Sequence, residues 1–125
     1  MALLDTWSRR ALQRRDEKAE FLGERSGSVE NTLKRELILE FATRPDVRRA
    51  YLASARFQSQ TEPSMVLGIV SARAEDQSLV MRVGEIFRRQ FPKDALLDIL
   101  FLTPEQDADL ALVCRPFYGA SAREG

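Results

Sequence analysis

The apolar pattern is densest over residues 95–102, where Asp98 is the single polar side chain in a run bracketed by Pro92 and Pro104. An apolar run this short, closed at both ends by proline, fits a strand buried on both faces better than a helix. Alternation puts Leu96, Asp98, Leu100 and Leu102 on one face and Ala95, Leu97, Ile99 and Phe101 on the other. The pattern predicts a central strand that other elements cover from both sides.

The remaining periodicities surround that strand. Residues 2–24 are good helix formers with a weak stripe of Leu4, Trp7, Ala11, Phe21 and Leu22. The basic cluster Arg9, Arg10, Arg14 and Arg15 is answered by Asp16, Glu17, Glu20 and Glu24. This reads as a charged N-terminal helical arm, joined to the next helix by a Gly/Ser linker. Val29, Leu33, Leu37 and Phe41 recur every fourth residue and predict a helix over residues 29–43, with Ser28 as its cap and Pro45 beyond its end.

Residues 47–57 suit either a helix or a strand, whereas residues 64–71 are strand-like in composition. The polar loop 58–63 between them favours a hairpin. Asp76 caps a helix through Gln90 whose apolar face is Leu79, Val80, Val83, Ile86 and Phe87. That helix joins two strands as a β-α-β unit. Thr103-Pro-Glu-Gln106 has the form of a capping box with proline at the first helical position. Beyond it, Leu110, Val113, Cys114 and Phe117 fit helical spacing, while Leu110, Leu112 and Cys114 equally fit a strand.

The fold class that results is α/β, α+β-like in character: a small mixed sheet of three to four strands, a hairpin plus a β-α-β unit, with helices packed on it. Residues 1–27 form the arm and linker, 28–118 the domain and 119–125 a frayed tail.

Composition narrows the chemistry. With 125 residues the chain has room for one core, and its 19 basic and 19 acidic residues cancel. A protein that holds a polyanion by counterion release is usually distinctly basic, which disfavours nucleic acid as partner. The absence of histidine removes the commonest general base and the commonest transition-metal ligand. A single cysteine, Cys114, excludes an internal disulfide and fits a reducing cytoplasm. No apolar run reaches the roughly 18 residues of a membrane span, and the start lacks the pattern of a secretory signal. No cofactor and no metal site is expected.

Candidate residues are few. Asp98, inside the apolar run, is either a polar anchor in a groove or an aspartate at a sheet edge reaching an arginine or backbone amide. Glu105, Asp107 and Asp109 lie close together, but they lack the spacing of a calcium loop and equally suit a helix N-terminus. Arg115 beside Cys114 could activate the thiol, but without a base a buried filler is the better reading. The arginines Arg9, Arg10, Arg14 and Arg15 form a candidate basic patch on a solvated helix.

Several short motifs, in their order, resemble the C-terminal domain of the enhanced serine sensitivity protein (SseB) family. They are Pro45-Asp-Val-Arg-Arg-Ala-Tyr-Leu-Ala53, Leu67-Gly-Ile69, Pro92-Lys-Asp-Ala-Leu-Leu-Asp-Ile-Leu-Phe-Leu102 and Pro116-Phe-Tyr118. The resemblance implies a strand at residues 47–57 and a small α/β domain. It marks Tyr51, Asp98, Pro116, Phe117 and Tyr118 as family-motif or interaction residues, and it implies no catalytic residues. The expected function is a non-catalytic cytoplasmic interaction module with a protein partner, self-associating through a sheet edge or helix face in one version. The alternative is an enzyme or small-metabolite sensor using carboxylate and arginine chemistry, linked to amino-acid (serine) metabolism.

Overall fold

The structure is a computed structural model and describes residues 19–58, 61–73 and 75–119. Its elements are β1 (Ala19–Glu24), α1 (Ser28–Phe41), β2 (Val47–Phe57), β3 (Ser64–Ser71), α2 (Gln77–Gln90), β4 (Asp98–Phe101) and α3 (Pro104–Ala111). The four strands form one mixed sheet in the order β1-β2-β3-β4. β1/β2 and β2/β3 are antiparallel and β3/β4 is parallel, so the hairpin and the β-α-β unit both form.

Alternation along the strands sorts the core into two layers. Leu52, Leu67, Ile69 and Ile99 pack with Leu33, Leu37 and Phe41 of α1 and with Leu79, Val83 and Phe87 of α2. On the opposite face Tyr51 and Ala53 meet Leu110 and Cys114, at and just beyond α3. Ala55, Phe57, Val66 and Leu100 continue that second layer. Gly68 lies beneath α3, where a Cβ would stand 3.0 Å from one Leu102 methyl and 3.1 Å from a Leu110 methyl.

Three expectations are corrected. The helix expected over residues 2–24 gives way at its C-terminal end to β1. There Ala19, Phe21 and Gly23 are half-buried while Glu20, Leu22 and Glu24 face out. Helix-forming residues yield because Phe21 and its neighbours cover the outer edge of β2, which needs a partner for its backbone. Trp7, Arg9, Arg10, Arg14 and Arg15 lie outside the described residues.

The strand at Asp98–Phe101 is not central: among the described residues it closes the sheet, and the long β2 and β3 occupy the middle. Its two-sided apolar character comes from cover on both faces, not from strands on both edges. The cap of α1 is Gly27 and not Ser28, whose side chain makes no capping bond.

The C-terminal half follows the sequence more closely. The Asp76 carboxylate accepts from the Leu79 amide at 3.2 Å, and Thr103 with Gln106 completes the capping box of α3. The ambiguity over residues 106–114 resolves to a helix that ends at Ala111, with a turn at Leu112 and Val113 and neither helix nor strand at Cys114. The segment after α3 then returns to β2: Ala50 donates its amide to the Tyr118 carbonyl at 3.1 Å, and Phe117 donates to the Ala50 carbonyl at 2.9 Å. Gly119, at φ +82°, sits where a Cβ would fall 2.1 Å from the Arg48 carbonyl oxygen.

Candidate functional site

The most concentrated polar chemistry lies between β2 and α3. Arg49 and Tyr51 are two residues apart on a strand and therefore share a face. The capping box sets the first turn of α3 so that Asp107 points at them. Asp107 accepts from the Tyr51 hydroxyl at 2.7 Å, from Arg49 Nη2 at 2.5 Å and from Arg49 Nε at 3.2 Å. Burial, then the bond to Asp107 and its charge, push the Tyr51 phenol well above its ordinary range. The same carboxylate raises Arg49. Tyr51 is consequently a permanent donor, Arg49 a permanent cation, and Asp107 is fully engaged by the two.

Cys114 is just as closed to chemistry. Its thiol lies 3.7 Å from the Leu52 carbonyl, and burial pushes it up to about 11. A thiol so protonated is a poor nucleophile near neutrality. Glu105 and Asp109 are exposed while Asp107 is buried, so the acidic triplet does not converge. No group of three or more potential metal-ligating side chains gathers among the described residues.

Asp98 opens β4 at the sheet edge, with both carboxylate oxygens shielded from solvent and Val66 opposite on β3. Phe117 and Tyr118 turn inward: their rings lie 6.2 and 5.5 Å from that of Phe41. The Tyr118 hydroxyl donates to the Phe41 carbonyl at 3.3 Å. Tyr51, Asp98 and the Pro116–Tyr118 stretch are thus not gathered into one place.

A groove that the sequence did not single out opens where α2 runs into β4. Phe91 ends α2 in an extended conformation, and its ring stacks on that of Phe87 at 4.5 Å and 13°. Phe91 borders a cleft of about 480 Å³ lined also by Phe87, Arg88, Pro92, Lys93 and Leu96. The cleft adjoins a larger trough of about 720 Å³, which shares Phe91, Ala95 and Leu96 and is lined also by Met65, Glu62 and Asp94. Leu96, expected inside a buried strand, is 54% exposed, whereas Leu97 beside it is fully buried. The readable signal was the turn chemistry of Pro92-Lys-Asp94, which delays the strand until Asp98.

The sequence profile of the SseB protein C-terminal domain matches residues 29–119. The chain belongs to that family. No curated protein and no solved structure gave a match. Tyr51, Asp98 and the Pro116–Tyr118 stretch all lie inside the matched span, as does the groove around Phe91 and Leu96. In this SseB C-terminal domain the match ends at Gly119, the residue wedged against Arg48, while β1 stands outside it. No helix among the described residues is long and apolar enough to cross a membrane.

Proposed function

We propose that this domain is a non-catalytic interaction module of the cytoplasm, which docks a protein partner in the groove around Phe91 and Leu96. The observation that carries the reading is the exposure of Leu96 beside the half-buried Phe91, at the junction of two clefts. An apolar side chain held outward between such clefts offers an anchor point for a partner's side chains. The reactive candidates support the same reading. Tyr51, Arg49, Asp107 and Cys114 are spent on joining β2 to α3, so none is poised to act on a substrate.

The test is selection from a random peptide library against the full chain and against Leu96→Asp. Leu96 is exposed, so the substitution should leave the melting temperature close to that of the parent. Related peptides should be enriched on the parent chain and lost on the variant. Equal enrichment on both proteins, or none on the parent, would overturn the groove as the docking surface.

A further inference from the structure

The charges around the groove are divided by sign. Arg88 and Lys93 line the smaller cleft, and no acidic residue lines it. Neither takes part in an ion pair among the described residues. Their neighbours on α2 do: Arg82 pairs with Glu40 at 3.0 Å and Glu85 at 3.2 Å, and Arg89 pairs with Glu36 at 3.3 Å. In the adjoining trough the sign changes. Glu62 and Asp94 line it and are likewise outside any ion pair among the described residues, while Arg25 nearby is already committed to Glu30 at 3.5 Å. A helix dipole favours cations in the last turn of α2, but it gives no reason for two anions in the adjoining trough.

We propose that the occupant is an extended peptide segment of a partner protein, acidic at one end, apolar in the middle and basic at the other. This rests on the groove being the docking surface. The acidic end meets Arg88 and Lys93, the apolar side chains straddle Phe91 and Leu96, and the basic end meets Glu62 and Asp94. An extended segment suits the site because its successive side chains alternate, so neighbouring residues can enter the two adjoining clefts that share Phe91 and Leu96. Rim charges of this kind set orientation and partner choice more than they set affinity.

The experiment is fluorescence anisotropy on the full chain with three labelled peptides sharing one apolar middle. One is acidic at one end and basic at the other, one acidic at both ends, and one basic at both. The mixed peptide should bind about fivefold tighter than either control, and the margin should shrink as salt rises. Lys93→Glu should weaken the mixed peptide about tenfold, and Glu62→Lys should improve the peptide that is acidic at both ends. Equal binding of all three peptides, abolished by Leu96→Asp, would overturn the charge order and keep the docking surface. No binding of any peptide, or binding indifferent to Leu96→Asp, would overturn both. Full displacement of the mixed peptide by decanoate would assign the groove to a small amphipathic carboxylate and overturn the peptide.

Discussion

The Tyr51 hydroxyl donates to Asp107 across 2.7 Å, joining the middle of β2 to the first turn of α3. The same carboxylate receives Arg49, so one aspartate holds the helix to the strand through three bonds. Asp107→Ala should cost about 2–4 kcal/mol, because it strands a buried phenol and a half-buried cation together. Tyr51→Phe, which removes a single donor, should cost about 1–2 kcal/mol. Urea midpoints with unchanged slopes would report both, and an Asp107→Ala loss no larger than that of Tyr51→Phe would refute the three-bond account.

Alkaline stability should follow Cys114. Its thiol titrates near 9.0 when unfolded and at about 11 when folded. Between those values the folded protein keeps a proton that the unfolded chain has released. The stabilisation is complete below pH 9 and is lost as the pH rises toward 11. Cys114→Ala should therefore flatten the fall in stability across that window, even as it lowers the plateau by leaving a small void. Tyr51, raised above its ordinary 10.0, should add a further decline at higher pH that Tyr51→Phe removes. An unchanged slope in the cysteine variant would contradict this.

Gly119 should tolerate no side chain. A methyl group there meets the Arg48 carbonyl at 2.1 Å, and the positive φ of +82° adds strain. Gly119→Ala should cost about 1–3 kcal/mol and loosen the pairing of Phe117 and Tyr118 with β2. Hydrogen exchange reads this directly, because the Ala50 amide donates to Tyr118. Its protection should drop in the variant, and full retention would count against the wedge.

Much of this was legible in advance, and the misses have physical reasons. The strand-like composition of β3, the hairpin loop that favoured a strand for β2, the Asp76 cap and the Thr103 capping box are local patterns, and each formed where expected. β1 escaped because alanine and glutamate favour helices in isolation, while the open edge of β2 decides their state in the fold. The Asp107 cluster escaped for a different reason: Arg49 and Asp107 are 58 residues apart, and only the sheet topology brings them together. The groove was least visible of all. Arg88 and Lys93 become notable only once the partners of the neighbouring arginines are known.

β1 should matter to stability, although the matched family span excludes it. A chain beginning at residue 26 should be less stable than one beginning at residue 19 by about 2–4 kcal/mol, since it bares the edge of β2 over Ala53–Phe57 and removes Phe21. Equal urea midpoints for the two truncations would show β1 to be dispensable.

The joining of Phe117 and Tyr118 to Ala50 also carries a consequence for synthesis. β2 leaves the ribosome early, yet among the described residues its outer edge around Ala50 acquires a partner only when the closing Pro-Phe-Tyr emerges. Until then a nascent chain holds an apolar strand with an unfilled edge, the kind of surface that pairs with the wrong neighbour. A stalled or clipped product ending before Pro116 would keep that edge open indefinitely. The Pro116–Tyr118 stretch would thus act as a quality mark, because a chain clipped before it would show the loss as an exposed strand edge.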